Sequence, residues 1–309
     1  MESKTPTLKL NSGHEMPVLG LGTYLSFDME SFTENVKHAI MECGYRHIDT
    51  ASAYENEEAI GEALQYCFEK GIKREDMFIT TKCFKTEYDD PKKALTESLK
   101  RLKLDYVDLY HIHWCMTMID YDKMEVTGPP IHKVWEQFET FVDEGLVKSI
   151  GVCNCNVQSL IELLAGARIK PSVVQVELHP YLQQEGLVNT CQRFGIQVTA
   201  YAPLGAPGFP YADYQKTKVL EHETLKAIAE KHGKAPAQVV LAWNIKRNII
   251  VIPKSCRNDR IMENMGALDV KLDDKDMENI KTMDEKYRFF NPGMWIEPES
   301  GWFNLSDFD

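Results

Sequence analysis

The chain has 309 residues, 43% hydrophobic and 27% charged, with a formal charge of -12. That is the balance of an ordinary globular protein, long enough to bury roughly three quarters of the surface its unfolded form exposes. The acidic surplus argues against general nucleic-acid or anionic-membrane binding, although a pocket's local charge can oppose the net charge. Apolar runs fall short of the about 18 residues that span a bilayer. Met1 to Asn11 lacks the apolar core of a signal peptide, so a soluble cytoplasmic protein is expected. Cysteines at 43, 67, 83, 115, 153, 155, 191 and 256 lie mostly in apolar or periodic segments. A chain this long needs no disulfide framework, and reduced thiols are expected. Cys153-Asn154-Cys155 is too sparse for a metal centre, and no metal is expected.

Thr7 to Leu10 and Glu15 to Val18 flank Asn11-Ser12-Gly13-His14, which predicts an opening β-hairpin. Leu19 to Thr23 follows as a first core strand. Phe32, Val36, Ala39, Ile40 and Cys43 then recur at helical spacing before a strand over Arg46 to Asp49. A second helix carries Ala59, Ile60, Ala63, Leu64 and Cys67, and the strand Phe78 to Thr81 follows. Further helices are predicted over Asp90 to Leu102, Ile131 to Glu144, Asn156 to Leu164 and Glu185 to Phe194. The strands between and after them are Val107 to His111, Ser149 to Val152, Val173 to Glu177 and Gln197 to Tyr201. Val219 to Lys231 and Ala237 to Lys246 make two helices before the strand Ile249 to Ile252. Ile261 to Met265 begins the closing helix, and Asp274 to Met283 follows. Several strands are apolar on successive residues, as strands covered on both faces are.

Alternating βα units with no linker predict a single domain over 1–309 of the α/β class. The architecture expected is a (β/α)8 TIM barrel with an N-terminal β-hairpin and a C-terminal substrate loop. The alternative is an open doubly wound sheet, but Gly20-Leu21-Gly22-Thr23-Tyr24 lacks the GxGxxG spacing of its first βα turn.

Barrel sites gather where strands end. Asp49 ends the second core strand and Tyr54 lies five residues on; Lys82 ends the third, His111 and His113 the fourth. Singly, each has an ordinary structural explanation: a cap, an ion pair, a packed ring. Together they answer one chemical demand. Hydride delivered to a carbonyl leaves charge on oxygen, which needs a proton donor. Tyrosine, with an ordinary pKa near 10, donates poorly near neutrality. A buried Lys82 ammonium is expected to lower that pKa, with Asp49 balancing the lysine and His113 orienting the oxygen.

Over essentially its whole length the sequence resembles the aldo-keto reductase superfamily, and most closely its aldose, aldehyde and xylose reductase branch. The strings that carry this are Gly20-Leu21-Gly22-Thr23-Tyr24, His47-Ile48-Asp49-Thr50-Ala51 and Leu109-Tyr110-His111-Ile112-His113-Trp114. Val174-Gln175-Val176-Glu177-Leu178-His179-Pro180-Tyr181 and Ile252-Pro253-Lys254-Ser255 follow in order. The resemblance implies a catalytic set of Asp49, Tyr54, Lys82 and His113 and an extended NADPH/NADP+ cofactor held without a Rossmann fold. It implies that Asn154 and Gln175 hold the nicotinamide carboxamide, that Tyr201 stacks on its ring and that Asp49 approaches its ribose. Leu204 matches the loop over the pyrophosphate; Lys254, Ser255, Arg260 and Asn264 match the 2'-phosphate and adenine end. Thr23 and Tyr24 complete the cofactor set from the first βα turn.

The sequence departs from the pattern at several of these positions. Cys153 stands where a serine often touches the carboxamide, and a thiol bonds more weakly. Cys155 replaces a common phenylalanine. Cys115 replaces a proline and is expected to bring an oxidisable thiol to the substrate pocket. Tyr24 replaces a frequent tryptophan, and Arg257 replaces a common threonine beside the 2'-phosphate.

Tyr24, Tyr54, His113, Trp114 and Trp302 are the expected substrate contacts, with Phe290, Met294, Trp295 and Phe303 as further wall candidates. The partner expected is a small carbonyl compound, an aldose or small aldehyde, with no nucleic acid and no membrane. The resemblance implies a monomer. Two other readings stay open: a hydroxysteroid or prostaglandin ketone reductase on the same fold, and a cofactor-binding redox sensor with little turnover.

Overall fold

The computed structural model describes residues 5–290, apart from 27, 118, 121, 122, 124 and 208–215. The opening hairpin pairs β1 (Thr7–Lys9) with β2 (Glu15–Pro17). Barrel strands follow as β3 (Leu21–Gly22), β4 (His47–Asp49), β5 (Phe78–Cys83) and β6 (Val107–Ile112). After β6 a short antiparallel ribbon intervenes, β7 (Ile119–Asp120) with β8 (Glu125–Val126). The barrel resumes with β9 (Val147–Cys153), β10 (Val173–Glu177), β11 (Gln197–Tyr201) and β12 (Ile249–Val251).

These eight strands pair in parallel, in chain order, from β3 to β12. Parallel bridges from Leu19 to Val251 and from Gly22 to Lys254 join the first to the last. The sheet therefore closes, and the open-sheet alternative falls. Gly22 makes the seam possible, because a Cβ there would lie 2.5 Å from the Ile252 carbonyl oxygen. One end of the barrel is stoppered by the hairpin: Leu10 and Met16 pack with Phe78, Leu109, Val173 and Ile250 in an apolar layer.

The helices are α1 (Met29–Met41), α2 (Glu57–Glu69), α3 (Pro91–Leu102), α4 (Ile131–Asp143) and α5 (Val157–Gly166). They continue as α6 (Glu185–Arg193), α7 (Glu223–His232), α8 (Pro236–Lys246), α9 (Asn258–Met265) and α10 (Asp274–Lys281). Their buried apolar side chains join those of the strands in one continuous core. On α1 the buried side chains include Phe32, Val36, Ala39 and Ile40, and each large one buried contributes about 1.5–3 kcal/mol. On α4, Phe138 stacks on Tyr110 of β6 with ring centres 4.8 Å apart. Asp28, Asp90 and Asn156 cap α1, α3 and α5 by accepting a bond from a first-turn amide. Gly71, Gly145 and Gly233, which follow α2, α4 and α7, all take positive φ, as glycines past helix ends do.

Most predicted boundaries move by a residue or two, and two regions differ more. Residues 216–221 form a 3-10 turn kinked at Lys218, so α7 starts at Glu223 rather than Val219; the His222 side chain accepts from the Thr224 amide and caps it. The β7/β8 ribbon stands inside what reads as plain loop from Cys115 to Pro130. No helix among the described residues is long and apolar enough to cross a membrane.

Candidate active site

The parallel register sets the strand ends level. Asp49 lies opposite Thr80, Lys82 opposite His111, Gln175 opposite Cys153 and Glu177 opposite Tyr201. Because side chains alternate along a strand, Asp49, Lys82 and Gln175 all reach the barrel mouth. Lys82 Nζ donates to Asp49 Oδ1 at 2.5 Å, to the Thr50 carbonyl at 2.7 Å and to Tyr54 Oη at 3.3 Å. An ammonium has three protons, and all three are placed. The other Asp49 oxygen accepts from Gln175 Nε2 at 2.7 Å.

Tyr54 arrives on a 3-10 turn over Ser52–Tyr54 that sequence reasoning did not find. The turn is pinned from both sides. Ser52 Oγ lies 2.6 Å from Glu87 Oε2 and 3.1 Å from the Lys82 carbonyl, and its one proton serves the nearer carboxylate. Asn56 Nδ2 donates to the Thr23 carbonyl, and Asn56 Oδ1 accepts from Thr50 Oγ1. Thr23 Oγ1 in turn donates to the Asp49 carbonyl at 2.9 Å. His113 follows β6 directly, its amide bonded to the Cys83 carbonyl, with its ring edge-on to Tyr54 at 5.6 Å between centres.

Lys82 is completely buried. Burial works against its charge, but Asp49 beside it wins and raises its pKa above the ordinary lysine value. Burial pushes the Asp49 carboxyl up, while Lys82 and Gln175 pull it back. The bond lengths fit an ammonium facing a carboxylate. His113 is driven well below the usual imidazole range by burial, by Lys82 and by His111, so it stands neutral. Tyr54 corrects an expectation. Lys82 does pull its pKa down, but burial is the larger effect and the phenol is pushed up to about 12.

Around these groups lies a cavity of about 600 Å³. Its walls include the expected Thr23, Tyr24, Trp114, Cys153, Leu204 and Lys254. Its floor is polar and braced. Asn154, at φ +53°, donates through Nδ2 to the His113 carbonyl at 2.9 Å and accepts from Tyr201 Oη at 2.8 Å. Half the hydrogen-bonding capacity of the Asn154 amide is left over, as is the Gln175 carbonyl oxygen. Burial pushes the Cys153 thiol well up, so it stands there as a neutral, weak donor.

Other expected residues lie elsewhere. Ser255, Arg257, Arg260 and Asn264 are outside the cavity wall, on the segment after β12 and on α9. Arg257 is engaged by Asp259, whose two oxygens take its Nε and Nη2 protons. Cys115 is half-buried and packs against the main core instead of lining the cavity, as does Cys155. The expected exposure of Cys115 in the pocket is thereby corrected. Trp302, Met294, Trp295 and Phe303 lie outside the described residues. Phe290 does form wall, edge-on to Tyr201 at 5.4 Å. Sequence reasoning missed Phe84, whose ring meets His113 at 5.5 Å; its place two residues beyond Lys82, on the same side of the strand, is the signal that marks it.

Comparisons with known proteins bear on the family and the fold. The model of the aldo/keto reductase family matches residues 18–285. The chain is 40% identical over 310 residues to aldose reductase B of Dictyostelium discoideum, covering 94% of this chain and 97% of that one. To aldo-keto reductase family 1 member A1 of Gallus gallus it is 38% identical over 300 residues, with 93% and 91% covered. To the NAD(P)H-dependent D-xylose reductase of Scheffersomyces stipitis it is 39% identical over 312 residues, with 94% and 98% covered. A crystal structure of an aldo-keto reductase complexed with NADPH matches with a TM-score of 0.87 at 34% identity, over 98% of this chain and 94% of that one. The chain belongs to the aldo/keto reductase family.

Proposed function

We propose that this protein reduces aldehydes and ketones to alcohols with NADPH, Tyr54 giving the proton. One observation carries the reading: Lys82 donates into Tyr54 Oη, so the phenol proton is left for an acceptor in the cavity. The residues present fit the cofactor. The spare amide capacity of Asn154 and Gln175 complements a carboxamide, which both donates and accepts, and Lys254 supplies a cation farther along the wall. The bound cofactor supplies the hydride.

Tyr54 keeps its proton throughout the neutral range, because burial holds its pKa at about 12. An alkoxide is a stronger base than a phenolate, so the proton moves only as charge develops on the carbonyl oxygen. The phenolate left behind faces the Lys82 ammonium, which stabilises it in the same low-dielectric pocket. Asp49 keeps that ammonium charged, and Gln175 keeps Asp49 aimed. Neutral His113 holds the substrate oxygen without competing for the proton.

The names of the relatives, aldose and D-xylose reductases among them, support aldoses and small aldehydes as substrates. The test is Tyr54→Phe. NADPH binding, read by fluorescence quenching, is expected to stay within about threefold. Turnover on the best substrate from a panel of aldoses, aliphatic and aromatic aldehydes and ketosteroids is expected to fall by roughly 10²–10⁴. A near-native kcat refutes the assignment of the proton donor; no NADPH oxidation by the native protein with any carbonyl refutes the reaction.

A further inference from the structure

Glu177 has no part in the proton transfer and does not itself line the cavity, yet it is bonded to the backbone of a residue that does, Phe290. It ends β10 two residues beyond Gln175, so the two side chains emerge on the same face. Its side chain is 0% exposed. Two oxygens there meet two backbone amides and an imidazole nitrogen. Oε1 accepts from the Phe289 amide at 2.6 Å and is 2.9 Å from His179 Nε2; Oε2 accepts from the Phe290 amide at 2.9 Å. Backbone amides only donate, so both carboxyl oxygens act as acceptors. His179, also fully buried, adds a second brace by packing its ring 4.9 Å from that of Phe289.

The chain held in this way carries a cavity wall. Phe290 faces Tyr201 at 5.4 Å and Tyr24 at 6.3 Å, and Tyr24 in turn meets Tyr54 at 5.0 Å. Phe290 is thus one ring removed from the reacting phenol. A substrate confined to the neighbourhood of Tyr54 does not need it, whereas a larger apolar substrate extends to it. We infer that Glu177 is a positioning residue for substrate selectivity: its carboxylate fastens the backbone at Phe289 and Phe290, which sets the Phe290 ring as the wall met by bulky or aromatic carbonyl compounds. A carboxylate suits the task because no neutral side chain of that length offers two acceptor oxygens to two successive amides. The selectivity part rests on the carbonyl-reductase reading; the clamp does not.

The experiment compares native protein, Glu177→Gln and Phe290→Ala. Glutamine keeps the size but turns one acceptor into a donor. Amide hydrogen exchange, measured on the protein alone, is expected to quicken at Phe289 and Phe290 by about a hundredfold in Glu177→Gln while β10 stays protected. In both variants KM for an aromatic aldehyde is expected to rise about tenfold, with KM for glyceraldehyde changed less than twofold and kcat within threefold. Unchanged exchange at those two amides overturns the clamp. An equal rise of both KM values, or lost protection along β10, also overturns it, since either marks a general structural role. Should Glu177→Gln fail to fold, Phe290→Ala decides: an unaltered KM for the aromatic aldehyde refutes the selectivity role. A native protein that reduces no carbonyl refutes the proposed reaction instead, and the exchange at Phe289 and Phe290 still decides the clamp.

Discussion

Removing the Lys82 ammonium tests the electrostatics of the site more severely than removing the phenol. In Lys82→Met the packing volume is nearly kept, but Asp49 loses its cation at a position only 1% exposed. The Thr50 carbonyl and Tyr54 Oη lose their donor as well. Breaking a buried pair from one side costs roughly 3–5 kcal/mol, because the remaining charge is uncompensated. For a chain of this size that lowers the unfolding midpoint by about 5–8 °C. The pH dependence carries a sign. In the variant only the Gln175 hydrogen bond still offsets burial, so the folded pKa of Asp49 rises further above its unfolded value of about 3.9. At Asp49 the folded state then binds more protons than the unfolded one, so the Asp49 contribution to stability increases as pH falls from neutrality toward that unfolded value, more steeply than in the native protein. In the native protein the raised Lys82 pKa contributes stability that is fully present below the ordinary lysine value and is lost only as pH rises through the folded pKa. Denaturant titrations at pH 5.5 and 8 on native, Lys82→Met and Lys82→Met with Asp49→Asn measure this. The double variant is expected to regain most of the loss, since asparagine can still accept from Gln175. If it is as unstable as the single variant, the cost lies in packing and the buried-charge argument is wrong.

Other consequences are as direct. Gly22→Ala puts a methyl 2.5 Å from the Ile252 oxygen at the seam, so soluble yield and melting temperature are expected to fall sharply; a shift under about 2 °C by calorimetry contradicts the closure. Arg260→Ala is expected to weaken NADPH about tenfold or more and NADH little, while Arg257→Ala does much less because Asp259 already occupies that guanidinium. Titration of both cofactors at equal ionic strength checks it, and equal weakening of the two by Arg260→Ala counts against it. Burial, followed by Lys82, holds His47 down to about 3, so the unfolded chain binds a proton there that the folded one does not. The His47 contribution to stability is therefore full above about pH 6.5 and is lost as pH falls toward 3, at about 1.4 kcal/mol per unit; a difference in urea midpoint between the native protein and His47→Gln that stays level from pH 7 to 4.5 contradicts it.

Much of this was legible in the residues, for a physical reason. A strand sheathed by helices outside and side chains inside has no solvent face, so its sequence reads apolar on successive positions, as Val173, Val174 and Val176 do. A polar side chain in such a strand must therefore find a buried partner, inside the barrel or, as Thr81 does with Glu57, in the helix layer outside it. His47 and Asp49, Thr80 and Lys82, and Gln175 and Glu177 fall two apart, and the last member of each pair sits at or beside the end of its strand. Period and position alone thus pick out Asp49, Lys82 and Gln175. Phe84 obeys the same rule. Three features obey no such rule. The shift of Tyr54 turns on how completely walls drawn from many strands exclude water, which no local spacing records. The separation of Arg257 from the cavity depends on a neighbour, Asp259, whose charge is visible but whose reach is not. Glu177 is placed by its period, but its partners are backbone amides, which every residue except proline has. A side chain that binds another side chain leaves two marks in a sequence, and one that binds a backbone leaves one. The clamp at Glu177 therefore needed coordinates, while the Lys82 and Asp49 pair did not.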